Sequence, residues 1–172
     1  MKKSRLVDLT VFALLGVIMF VSKYLTDALP NVHFIGMLTI VYTIVYRKKA
    51  LVPIYVFVLL IGLFNGFNMW WIPYLYIWTV LWAITMILPK SMSKKVAIPV
   101  YSIVCALHGL CYGILYAPAQ ALMFGLDFKG MVAWIAAGFY FDIIHCIGNF
   151  ALGFLTIPLA EALRKAHKTA EK

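Results

Sequence analysis

Residues 22–36 read SKYLTDALPNVHFIG, and what stands on either side of them decides the fold. An apolar run over 9–21 leads in, and a second apolar run starts at once from Phe34. Between them come Lys23, Tyr24, Thr26 and Asp27, then a break at Pro30-Asn31, then His33. Such a break between two apolar runs is turn chemistry. The stretch reads as the link of a membrane hairpin and as the outer lip of a ligand pocket.

The rest of the chain carries the same message. Of 172 residues, 65% are hydrophobic and 12% are charged, with a mean hydropathy of +0.95. Soluble domains hold about 45–50% apolar and about 25% charged residues. So little polar surface excludes a soluble globule. The apolar blocks are longer than the ~9–11 residues of a barrel strand and do not alternate. Only helices or closed barrels satisfy the backbone in lipid, so the fold class is an all-α membrane protein.

Six spans are expected within one integral membrane domain, 1–172: about 6–29, 34–46, 51–67, 71–89, 96–126 and 131–163. At ~1.5 Å per residue, ~20 residues cross the hydrocarbon. The second span is short and could be re-entrant; the last two are long enough to tilt or to run past the membrane. Charge decides the count. Lys2, Lys3 and Arg5 precede span one, and Arg47, Lys48 and Lys49 separate spans two and three. Lys90, Lys94 and Lys95 separate spans four and five, and Arg164, Lys165, Lys168 and Lys172 follow span six. With six crossings, every basic residue except Lys23 and Lys129 falls on one side, and basic loops face the cytoplasm. Both termini are therefore expected to be cytoplasmic. This reading also accounts for the net charge of +9 without nucleic acid.

The N-terminus, MKKSRLVDLTVFALLGVIMF, has the basic head and apolar centre of a signal peptide. No A-x-A-type site follows, and the segment continues to Leu29, so it reads as a retained first helix. Cys105, Cys111 and Cys146 all lie in apolar helices and form no disulfide framework.

Polar groups inside a bilayer are expensive and each asks for a partner or a function. Here they gather at the midplane and in the outer half. Lys23, Tyr24 and Asp27 end the first helix, and Asn65 and Asn68 close the third. His108, Tyr112, Tyr116 and Gln120 follow i, i+4, i+8, i+12, and Asp142, His145 and Asn149 follow i, i+3, i+7, each set near one helix face. Interhelical polar bonding is one reading. A cavity open to the outside, with aromatic walls and a few placed polar groups, is the other, and it suits the polarised set. Trp70, Trp71, Tyr74, Tyr76, Trp78 and Trp82 form either an interface belt or part of that wall. Lys23 and Asp27 either pair at i, i+4 or meet the ligand. Asp142 must be protonated, paired with His145 or His108, or bonded to ligand.

Other chemistry finds less support. Cys105-x-x-His108-x-x-Cys111 with His145-Cys146 offers soft ligands, but i, i+3 and i+6 on a helix cannot all converge on one metal. No HExxH, GxSxG or phosphate-cradling loop is present. The alternative to a binding subunit is a small membrane enzyme using Asp142 and His145 as acid and base.

On these features the chain resembles the substrate-binding S components of energy-coupling factor (ECF) vitamin transporters. The likeness covers nearly the whole chain and rests on size, six helices, both termini inside and a polar pocket beneath outer loops. It implies an S-component-like bundle in a prokaryotic plasma membrane. It implies as partners a transmembrane T component and two cytoplasmic ATPases, so that this ABC importer subunit hydrolyses no ATP itself and needs no cofactor. In that family the S component captures a vitamin from outside and topples in the membrane to release it. Small residues on the first helix, often Ala-x-x-x-Ala, dock the T component; Ala13 and Gly16 match here, while Val17 stands at the second alanine position. The cap over the ligand corresponds to Pro30, Asn31, Val32 and His33. The nickel and cobalt branch carries a histidine at position two, where this chain has Lys2, which disfavours a metal cargo. The aromatic residues favour a planar heterocycle such as a vitamin, a vitamin precursor or a modified nucleobase, with a corrinoid as the larger option. The expected site is Asn31, His33, Asn68, Trp78, His108, Tyr112, Gln120, Asp142, His145 and Asn149.

Overall fold

The computed structural model describes residues 3–170. Lys2 and Lys172 of the basic clusters lie outside the described residues, as do the side chains of Lys3 and Arg5. The described chain is helix and turn, with no strand. Its α-helices are α1 (Lys3–Leu25), α2 (Ile35–Tyr46), α3 (Leu51–Asn65), α4 (Tyr74–Ile87), α5 (Lys94–Leu110), α6 (Tyr112–Phe124), α7 (Phe128–Gly153) and α8 (Thr156–Ala170). Short 3-10 turns at Arg47–Ala50 and Met69–Trp71 lead into α3 and α4.

Four stretches are long and apolar enough to cross a membrane: Leu6–Leu25, Met69–Ile87, Lys94–Phe124 and Phe128–Gly153. α2 and α3, with 12 and 15 residues, fall short of that length. The outward faces are apolar, as lipid requires; Leu122 is 87% exposed and Ile87 84%. A water-soluble bundle would leave such side chains inside.

α2 is the axis of the bundle. Residues 35–43 are all buried, and the helix packs against α4, α8 and α5. Twelve residues reach only about 18 Å. Because neighbouring helices cover α2, its length need not match the bilayer. Hydropathy alone therefore understates this element.

Two long expected spans are each broken. The stretch expected over 96–126 divides at Cys111. An unbroken helix would send the Gly113 amide to the carbonyl four residues back. It goes instead to the Asp142 carboxylate on α7. The expected span 131–163 begins earlier, at Phe128, where the Asp127 side chain caps α7 by accepting from the Gly130 amide at 2.7 Å. It then breaks after Gly153, which lies against Ser102 of α5, and α8 continues to Ala170. α1 is shorter than expected and ends at Leu25; residues 26–29 form turns, with the Leu29 amide bonded to the Thr26 carbonyl at 2.9 Å.

Polar contacts gather the basic segments at one end. Lys49 bonds Asp8 of α1 at 2.7 Å, and Arg47 donates to the Met86 carbonyl at 2.8 Å. Lys94 pairs with Glu161 of α8 at 2.7 Å, and Arg164 donates to the Ile44 carbonyl at 3.3 Å. The opposite end carries the 26–34 link, here called the lip. Tyr24, at the end of α1, donates to Asn65 at the end of α3 at 2.5 Å.

Candidate functional site

The lip is held in place by its own sequence. Asn31 has φ +57, the left-handed region that asparagine tolerates better than most residues. Its Nδ2 donates to the Phe141 carbonyl on α7 at 3.1 Å. Val32 rests over Gly148, where a Cβ would lie 3.3 Å from the valine methyl. These contacts turn His33 inward. Its ring meets His145 of α7 edge-on at 4.6 Å and Trp78 of α4 at 5.8 Å.

Beneath the lip is a cavity of about 190 Å³, walled by Lys23, Asn31, His33, Tyr74, Tyr112 and His145 among others. Tyr112 meets His145 at 5.1 Å. Both ring nitrogens of His145 are buried with no hydrogen-bond partner, and so is Nδ1 of His33. Burial, with Lys23 as the second cause, lowers the His33 pKa from 6.5 to about 4, so the imidazole is neutral near pH 7.

A second cavity of about 420 Å³ opens between α6 and α7. Asn31 and Tyr112 line both cavities and separate them. Tyr116, Gln120, Trp134 and Asp142 line the second.

α7 explains the division. Its buried residues are Asp142, His145, Asn149 and Gly153, so the polar stripe is the inward face and the apolar residues face out. Along that stripe the three polar residues part company. Asp142 accepts from Gly113, His145 enters the lip cavity, and Asn149 donates to the Cys105 carbonyl at 3.2 Å. Asp142 therefore pairs with neither His145 nor His108. His108 is buried behind Trp78, with Nε2 3.1 Å from the Ile77 carbonyl. Trp78 is 1% exposed and backs the lip cavity from the core. Asn68 is exposed on the link before α4 and lines neither cavity.

The aromatic residues along α4 and in the 3-10 turn before it also divide. Trp71 donates to the Val58 carbonyl at 2.8 Å, and Trp82 donates to the Arg47 carbonyl at 3.1 Å near the basic end. Tyr74 reaches the lip cavity. Of the aromatic residues read as either belt or wall, Tyr74 is a wall residue, whereas sequence spacing does not single out Trp134. Trp134 stacks on Tyr116 at 5.6 Å and 19°, a contact between separate helices with no sequence signature.

Lys23 and Asp27 do pair, at 3.8 Å, with Asp27 largely exposed. Gly16 packs directly against Val56 of α3, whereas Ala13 is exposed. Among the described residues, no group of three or more His, Cys, Asp and Glu has the arrangement of a metal site.

Comparison with known proteins finds no matching family model, no matching curated protein and no matching solved structure. The fold and the site define the class: an all-helical membrane protein with two adjoining cavities at one end of its bundle.

Proposed function

We propose that this chain is the substrate-binding subunit of an ECF-type importer and captures a small organic micronutrient in the lip cavity. One observation carries the reading. His145 is 1% exposed, lines the cavity, and has two buried ring nitrogens with no hydrogen-bond partner. Leaving buried polar atoms unmet costs about 1–3 kcal/mol each, and a bound ligand with matching donor and acceptor groups would recover that. His33, Tyr74 and Tyr112 supply flat walls, and Lys23 supplies a cation at the rim. A planar heterocycle with an acceptor or acidic group suits this lining. At about 190 Å³ the cavity is too small for a corrinoid.

The reading includes six crossings, both termini in the cytoplasm, and assembly with a T component and two ATPases in a prokaryotic plasma membrane. The basic segments at one end of the bundle and the lip at the other support that topology. The enzyme alternative, with Asp142 and His145 as acid and base, is less well supported, because the two side chains serve different cavities.

Mass spectrometry of protein purified from its native membrane, with and without His145→Ala, tests the capture step. A heterocycle that accompanies the native protein and is lost from the variant supports the reading. Pull-down on the tagged chain tests the assembly. If neither a membrane partner nor an ATPase is recovered, the importer reading fails.

A further inference from the structure

The cavity between α6 and α7 differs in chemistry from the lip cavity. It has no Lys, Arg or His in its wall and one carboxylate, Asp142. Asp142 is 4% exposed, and its described hydrogen bonds come from one backbone amide, Gly113. No ion pair to Asp142 occurs among the described residues. A carboxyl group in so apolar a setting either keeps its proton or meets a counter-charge, and a cation entering the cavity would supply the second.

Four aromatic rings share the wall with the amides of Asn31 and Gln120. Tyr112 and Tyr116 lie 6.1 Å apart, and Trp134 stacks on Tyr116. Phe141 completes the aromatic lining. Rings around an acidic group attract a soft, weakly hydrated cation through their quadrupoles, and quaternary ammonium groups are the common occupants of such cages. A hard metal ion is poorly served, because calcium wants about six to eight oxygens and aromatic walls supply few. The volume of about 420 Å³ leaves room for an alkylammonium group with a short substituent.

We propose that this cavity is a second binding site, specific for an alkylammonium group, with Asp142 as counter-ion and Tyr112, Tyr116 and Trp134 as its aromatic wall. The site shares Tyr112 with the lip cavity but does not depend on the importer reading. The ammonium group belongs either to a free organic cation or to a choline or ethanolamine lipid headgroup.

Calorimetric titration of the full chain in phosphatidylglycerol nanodiscs tests this, with tetramethylammonium, choline and the neutral choline isostere 3,3-dimethylbutanol as probes. Both cations bind, and the isostere binds at least about tenfold more weakly. Asp142→Asn, which keeps an oxygen for the Gly113 amide, weakens choline binding by about tenfold or more. Trp134→Leu weakens it several-fold without touching the carboxylate, and Glu161→Gln at the opposite end leaves it unchanged. Equal binding of the isostere overturns the proposal. So does an unchanged affinity in both Asp142→Asn and Trp134→Leu, or the failure of both cations to bind. Repeating the titration in phosphatidylcholine discs identifies the source: suppressed choline binding assigns the site to a lipid headgroup, and unchanged binding assigns it to a free cation.

Discussion

The Gly113 amide donates to both carboxylate oxygens of Asp142, at 3.1 and 3.2 Å. This one contact joins a helix break to a buried charge. The amide leaves the helical pattern, the α5–α6 stretch turns at Cys111, and the carboxylate is held at the wall of a cavity. A Cβ at position 113 would collide with Asp142 Oδ2, so any larger residue there forces the carboxylate to shift.

Gly113→Ala therefore displaces the carboxylate and is expected to destabilise the protein by about 1–3 kcal/mol, the cost of overpacking a tight site. Asp142→Asn retains an acceptor and is expected to cost less than Asp142→Ala, which strands the amide. Thermal melting in detergent measures the order. A Gly113→Ala variant as stable as the native chain would mean that this contact does not hold the break.

Asn31 combines a left-handed backbone with the hydrogen bond to Phe141. The two can be separated. Asn31→Gly loses the bond but suits φ +57, whereas Asn31→Ala also loses asparagine's tolerance of the left-handed region, where an ordinary residue costs about 1–2 kcal/mol. Hydrogen exchange over residues 29–34 is expected to quicken in the order native, Gly, Ala. Equal exchange in all three would reduce the lip to an ordinary turn.

His33 gives a pH signature. Its pKa is 6.5 when unfolded and about 4 in the fold, because burial, then Lys23, disfavours the imidazolium. A depressed pKa contributes stability that is fully present above 6.5 and is lost as pH falls through 4. The melting temperature should fall with acidification across that window, and His33→Gln should fall less steeply. Parallel curves for the two proteins would show that His33 stays solvated.

Lys23 and Asp27 are 3.8 Å apart, and Asp27 is 71% exposed. Exposed pairs of this kind contribute about 0–1 kcal/mol. Asp27→Asn should leave melting within about four degrees, as a ΔΔG of that size implies. If Lys23 serves a ligand acid in the lip cavity, Lys23→Met should lower retention of the co-purified molecule while Asp27→Asn should not. Equal retention in both variants would remove Lys23 from the site.

Much of this was legible in the residues, and what was not has a physical cause. Apolar runs report burial against lipid, so α1 and α7 stood out. α2 is enclosed by protein, and no length rule for a bilayer applies to it. The polar stripe on α7 was readable because i, i+3, i+7 is helix geometry, and it is the buried face. The split of that stripe between two cavities was not readable. It depends on which residue of α5 and α6 stands opposite each position, and Gly113, a residue with no side chain, makes the decisive bond. Trp134 escaped for the same reason, since its stacking partner Tyr116 is remote in sequence.

The last prediction concerns α1. Ala13 and Gly16 are expected to dock a partner together, and the fold leaves them differently exposed. Gly16 is buried against Val56, and Ala13 lies with Leu14, Val17 and Ile18 on the exposed apolar side of the helix. Positions three apart lie about 60° apart around a helix, so Gly16 can be covered by α3 while Ala13, at the margin of the same face, is left free. Gly16→Leu is expected to damage the protein itself by about 1–3 kcal/mol through overpacking. Ala13→Leu is expected to change stability by no more than about 0.5 kcal/mol, as exposed substitutions do. Under the importer reading, Ala13→Leu should still reduce recovery of the membrane partner in pull-downs, because the added bulk stands where two helices would meet. Full recovery with Ala13→Leu would move the docking surface to another face of the bundle.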